Sequence, residues 1–135
     1  MVSREKNKKR HGFTLVELLV VVLILSILMA VALPLYLSAV ADSQKKTCRA
    51  NMQTIANAVE SARVQYQTPD YTAIVTANSA GIILTGTYSL PDLQAVPLCP
   101  SGGAYTLATG ASAASFKVKC SVGIHGSFEP GVDNN

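Results

Sequence analysis

The 135-residue sequence contains no tryptophan, and aromatic residues make up only 6% of it. Surfaces that stack bases or sugars depend on such rings, so the chain offers little material for a nucleic-acid or glycan platform. Charge is also sparse, at 14% against about 25% in an ordinary soluble domain. Histidine occurs twice, as His11 and His125, and the carboxylates Asp70, Asp92, Glu129 and Asp133 are scattered. Neither a paired-acid site nor a calcium loop is spelled out. At 14.2 kDa a multidomain enzyme is excluded by size. The expectation is a non-enzyme with no cofactor and no metal, in which His125 is a loop histidine holding a structural hydrogen bond. What the chain does have is hydrophobic residues, 49% of the total, which excludes disorder over most of its length.

The formal net charge of +3 is unevenly placed. Arg4, Lys6, Lys8, Lys9 and Arg10 are opposed only by Glu5, so the segment before Phe13 carries +4. From Phe13 onward six basic residues face seven acidic ones, leaving −1 and no field for a phosphate backbone. Nucleic acid is therefore not indicated as a partner.

Glycine is absent between Phe13 and Gln67, and Pro34 is the one proline there. Leu18 to Ala41 is a stretch of 24 residues without charge, and as a helix it would be about 36 Å long, enough to cross a hydrocarbon core of about 30 Å. The preceding basic residues place that start in the cytoplasm and the rest outside. Glu17 is misplaced in such a run. A carboxylate there is costly on insertion, and neither a cleaved signal peptide nor a plain signal anchor gives it a partner. It marks a functional position.

Beyond Ala41 the pattern turns amphipathic. Cys48, Met52, Ile55, Val59, Ala62 and Tyr66 form one helical stripe, and Lys45, Lys46, Arg49, Asn51, Gln53, Asn57, Glu60, Arg63 and Gln65 form the solvated face. One helix with a kink at Pro34 is expected to run until Pro69-Asp70 stops it, at about residue 68. From Tyr71 onward the sequence is rich in Thr, Ser, Ala and Gly. Ala104 to Thr109 and Ser115 to Cys120 read as two antiparallel strands, with Phe116, Val118 and Cys120 alternating against Lys117 and Lys119. Ile82 to Thr87 is either a short strand or an irregular connection. Gly102-Gly103 and Gly110 supply turns. So small a sheet is marginal alone and needs the helix stripe as the other half of its core.

Cys99 and Cys120 bracket the two strands in the exported part, where a disulfide is permitted. Closing that loop would stabilise by roughly 3 kcal/mol. Pairing ranks ahead of a metal site because no His or Cys stands at a recognised ligand spacing from either residue. Cys48 is left as a buried, unreactive thiol on the helix stripe, with intermolecular pairing the lesser alternative.

The segment Gly12-Phe13-Thr14-Leu15-Val16-Glu17, behind a basic leader and ahead of an apolar run containing Pro34, resembles the class III signal of type IV prepilins and pseudopilins. Cys99-Pro100-Ser101-Gly102-Gly103-Ala104-Tyr105, with Cys120 and His125-Gly126 later, is also similar to a pattern in some pilin-like proteins. The resemblance implies an α+β pilin-like fold, a long kinked N-terminal helix packed on a small antiparallel sheet. It divides the chain into a leader at 1–12, a transmembrane and filament-core half-helix at 13–41, and an extracellular domain at 42–135.

It also implies processing by a prepilin peptidase between Gly12 and Phe13 and N-methylation of Phe13. Glu17 would neutralise the new amine of a neighbouring subunit. An unpaired charge in a dry interior is destabilising, and a complementary one offsets that only in the correct register. Glu17 and Pro34 are thus the assembly residues. The implied partners are further copies in a homo-oligomeric filament, the peptidase, an inner-membrane assembly platform, and the membrane itself before assembly. The implied location is the cytoplasmic membrane and then a cell-surface filament. One departure stands out: Ser26 occupies the position, eight residues before Pro34, where many major pilins carry a glycine. A pseudopilin of a type II secretion or DNA-uptake machine fits the same N-terminus. From a different class, a signal-anchored or secreted binding domain is the rival.

Overall fold

The computed structural model describes residues 12–132. The described residues divide into two compact units, one ending at Ala39 and one beginning at Val40. The elements in chain order are helix α1 (Leu15–Tyr66), helix α2 (Thr72–Ala77), strands β1 (Tyr105–Thr109) and β2 (Phe116–Cys120), a 3-10 turn (Gly123–His125) and strand β3 (Ser127–Phe128). This is the α+β architecture expected, a long N-terminal helix plus a small antiparallel sheet.

In the first unit α1 is apolar all round, and the large side chains from Leu15 to Leu37 are exposed. By length and composition α1 can cross a membrane. The helix continues through Ser26 and Pro34. Ser26 donates its hydroxyl to the Val22 carbonyl at 2.7 Å, which keeps this polar group satisfied within the helix. Pro34 brings no N–H, so one rung of the helical ladder is missing there.

In the second unit the rest of α1 buries one stripe: Cys48, Met52, Ile55, Ala56, Ala58, Val59 and Ala62. The helix ends in a Schellman motif. Gln67 takes a left-handed φ of 50°, its N–H bonds the Val64 carbonyl, and the Thr68 N–H bonds that of Arg63. Pro69 follows and prevents resumption. Arg63 then reaches forward, donating to the Tyr71 hydroxyl and the Pro69 carbonyl, both at 3.0 Å.

The sheet has the order β1-β2-β3 and is antiparallel throughout. Tyr105 pairs with Cys120 and Thr109 with Phe116, while Val118 pairs with Phe128. Tyr105 and Leu107 of β1, with Phe116, Val118 and Cys120 of β2, turn inward and join the buried stripe of α1 in one core. Period-two alternation therefore set the buried face as expected. Ile82 to Thr87 forms an irregular connection, and the third strand is β3.

That connection is organised by Asn78, which is fully buried. Its side-chain amide donates to the Ile74 and Tyr88 carbonyls, each at 2.9 Å, and its Oδ1 accepts the Ile83 N–H at 2.8 Å. The Asn78 carbonyl accepts the Leu107 N–H of β1. A loop that carries few ladder bonds thus has its buried polar groups paired through one side chain. At the other edge, Lys117 and Glu129 form an ion pair at 3.1 Å, and Glu129 also accepts the Ala111 N–H. The carboxylate that looked scattered in the sequence closes the β1–β2 turn.

Candidate functional site

Two groups of side chains stand out, one in each unit. In the first unit Gly12 and Phe13 lie just ahead of α1, and Phe13 is exposed. Thr14 is positioned as the N-cap. Glu17 Oε2 accepts the Thr14 N–H at 2.8 Å and its hydroxyl at 2.7 Å, while Thr14 Oγ1 faces the Glu17 N–H at 3.3 Å. This is a reciprocal capping box, the Thr-x-x-Glu pattern that satisfies orphan donors at a helix start. The carboxylate that the apolar run left without a partner is held by its own first turn, and Phe13 immediately precedes that pair. Pro34 lies farther along the same unit, inside α1.

In the second unit Cys99 and Cys120 are brought together, but not alone. Cys48 from α1 and His125 from the 3-10 turn converge on them, so that three sulfurs and one imidazole nitrogen lie within 4.8 Å of one another. All four residues are buried. Cys99 Sγ stands 3.7 Å from Cys120 Sγ and 3.3 Å from His125 Nδ1, and Cys120 Sγ stands 3.7 Å from the same nitrogen. All three cysteines are free thiols. The structure does not show the expected Cys99–Cys120 disulfide: it places the two sulfurs next to each other, beyond the bond length of about 2.05 Å.

Pairing ranked ahead of a metal site because no His or Cys stands at a recognised ligand spacing in the sequence, yet the fold sets Cys48 and His125 beside Cys99 and Cys120. The ligand-type atoms come from four separate segments, and long-range folding supplies what local spacing did not. The one local signal was the four-residue spacer from Cys120 to His125. Cys48 is buried on the helix stripe as expected, and His125 sits in a turn with its ring nitrogens facing Cys99, Cys120 and Ser101.

The surroundings hold each of these groups. Tyr105 donates its hydroxyl to Cys48 Sγ at 3.4 Å and itself accepts from Asn51 at 3.2 Å. Burial pushes the Cys48 thiol pKa up, with the Tyr105 hydrogen bond opposing. Burial also acts against ionising Cys99, but there the backbone N–H groups of Ser101 and Gly103, with hydrogen bonds from the other two thiols, outweigh it and bring the thiol down. The turn that supplies those N–H groups is closed by the Gly102 N–H on the Cys99 carbonyl at 2.9 Å, with Gly102 at a φ of 74°. On the far side of the ring, His125 Nε2 meets Ser101 Oγ at 3.4 Å, and Ser101 donates to Gln44 Oε1 at 3.2 Å.

Comparison with known proteins bears on the first group. Residues 7–33 match the prokaryotic N-terminal methylation motif, which supports a type IV pilin-like prepilin. The matched stretch includes Gly12, Phe13 and Glu17 and stops one residue before Pro34. The match is confined to this N-terminal stretch, where it supports a pilin- or pseudopilin-type N-terminus. No curated protein and no solved structure matches it.

Proposed function

We propose that this protein is a structural subunit of a type IV pilus or a related extracellular filament, held in the cytoplasmic membrane by α1 before assembly. The observation that carries this reading is the N-terminal methylation motif running into a helix that is exposed and apolar on every side, with Glu17 as its single charge between Phe13 and Ala41. Such a surface is unstable in water, so it belongs in lipid or against other copies of itself. A prepilin peptidase cuts between Gly12 and Phe13 and methylates the new amine. The cut leaves the apolar helix attached, and an assembly platform in the membrane then moves subunits into the growing filament.

Glu17 supplies the register. A neighbour's N-terminal ammonium, brought into the apolar filament core, needs a counter-charge, and only one axial stagger delivers it to Glu17. Oε2 is engaged with Thr14, and the second oxygen of the same carboxylate is the acceptor for that amine. Pro34 shapes the helix where the packed segment gives way to the exported domain.

Mass analysis of the exported protein's N-terminus tests the proposal. A mature chain beginning at N-methylated Phe13 is expected. A chain beginning at Leu33 or Asp42 would identify a conventional signal peptidase product and overturn the filament reading.

A further inference from the structure

We propose that Cys48, Cys99, Cys120 and His125 form a structural zinc site that ties α1 to the C-terminal sheet. The inference is independent of filament assembly and rests on the second unit alone.

Geometry is the first argument. Around a tetrahedral zinc with Zn–S of about 2.3 Å and Zn–N of about 2.0–2.1 Å, the edges are about 3.8 Å between sulfurs and about 3.5 Å from sulfur to nitrogen. The Cys99–Cys120 edge is 3.7 Å, and the two sulfur edges to His125 Nδ1 are 3.3 and 3.7 Å. A disulfide would draw two of the sulfurs together and leave the other pair behind. Three donors thus stand at tetrahedral edge lengths, and Cys48 Sγ lies within 4.8 Å of them, so one ion can draw all four to a common centre.

Donor chemistry is the second. Three thiols and an imidazole, with no carboxylate among them, exclude the hard cations that take oxygen ligands and select a borderline metal in a closed four-coordinate site. Binding releases the three thiol protons to solvent, so the complex carries one net negative charge. Three of the four ligands, Cys48, Cys99 and His125, already have an outer partner to hold them. Tyr105 faces Cys48, the Ser101 and Gly103 N–H groups face Cys99, and Ser101 Oγ faces the ring nitrogen of His125 remote from the sulfurs. This outer layer orients ligands in structural metal sites. Gly103 belongs to it sterically as well, since a β-carbon there would stand 2.7 Å from Cys120 Sγ.

The consequence is mechanical. The four ligands lie on α1, on the loop ahead of β1, at the end of β2 and on the following turn. One ion thus staples all the segments that a three-stranded sheet cannot hold by itself.

The test uses the full chain, extracted in detergent without chelator or polyhistidine tag and handled anaerobically. Elemental analysis should give about one zinc per chain that survives dialysis. X-ray absorption at the zinc edge should report three sulfur ligands and one nitrogen at the distances above. Cobalt exchanged into the site should show thiolate charge transfer and tetrahedral d–d bands. Chelation should lower the melting temperature of the exported domain by about 10 °C or more. Cys48→Ser and His125→Ala should lose the metal, while Thr54→Ala on the exposed helix face should keep it. Should the ligand variants fail to fold, the absorption spectrum of the unaltered protein decides without them. Less than about 0.1 zinc per chain, whether the thiols are free or Cys99 is bonded to Cys120, would overturn the proposal. So would a zinc shell without sulfur.

Discussion

Glu17 and Thr14 cap each other, with the carboxylate accepting both the backbone N–H and the hydroxyl of Thr14 at 2.8 and 2.7 Å. The carboxylate therefore has two tasks that a substitution can separate. One is to start the helix, which needs only an acceptor. The other, under the proposed filament assembly, is to meet a neighbour's ammonium, which needs a charge.

Glu17→Gln keeps an acceptor and removes the charge, whereas Glu17→Ala removes both. Both variants should insert in the membrane normally, because the apolar run is untouched. If charge pairing sets the register, both should abolish or disorder filaments, and electron microscopy with quantified surface protein should find no difference between them. Normal filaments from Glu17→Gln, with failure of Glu17→Ala, would assign Glu17 to capping alone.

Gly103 is the second position where contact geometry forecasts an outcome. A β-carbon there would lie 2.7 Å from Cys120 Sγ, 2.8 Å from Val122 Cγ2 and 3.3 Å from Ser121 Oγ. Cys120 is buried at the end of β2 and has little room to retreat, whereas Val122 is half-buried and Ser121 exposed. Gly103→Ala should destabilise the second unit by about 1–3 kcal/mol, the usual result of overpacking. It should also displace Cys120 from the other thiols. Denaturant titration measures the first effect, and the rate of thiol labelling of Cys120 under native conditions measures the second.

Much of this was legible in the sequence because it is local. The unbroken run from Leu18 to Ala41, the stripe from Cys48 to Tyr66 and the alternation from Phe116 to Cys120 are each set by neighbours within a turn or a strand. The Thr14–Glu17 capping box was equally local, and its Thr-x-x-Glu pattern stood in the sequence. The thiol–imidazole group was not, because Cys48 and Cys99 meet only once α1 packs on the sheet. A pair of cysteines bracketing two strands suggests a disulfide, and only the fold reveals the third sulfur and the ring nitrogen beside it. Asn78 was illegible for the same reason. Its partners Ile83 and Tyr88 belong to a connection with no periodicity to read, and Leu107 lies on β1, far along the chain.

The junction after α1 makes a prediction about pH. Tyr71 is buried against Phe116, with ring centroids 4.8 Å apart, and donates its hydroxyl to Glu60 Oε2 at 2.6 Å. Its pKa is raised, first by burial and then by that hydrogen bond, with Arg63 opposing. A group whose folded pKa lies above its unfolded value contributes stability that is complete below the unfolded pKa. For a tyrosine that value is about 10. Above it the unfolded chain loses its proton first, so the folded state binds more protons and stability falls as pH rises through the folded pKa. Tyr71→Phe keeps the ring contact and removes the titrating proton. It should lose about 1 kcal/mol at neutral pH, from the hydrogen bond to Glu60. It should also show a shallower alkaline decline than the parent between pH 10 and the point of unfolding. Melting temperatures measured across that range for both proteins provide the check, and parallel curves would rule out Tyr71 as the group that titrates.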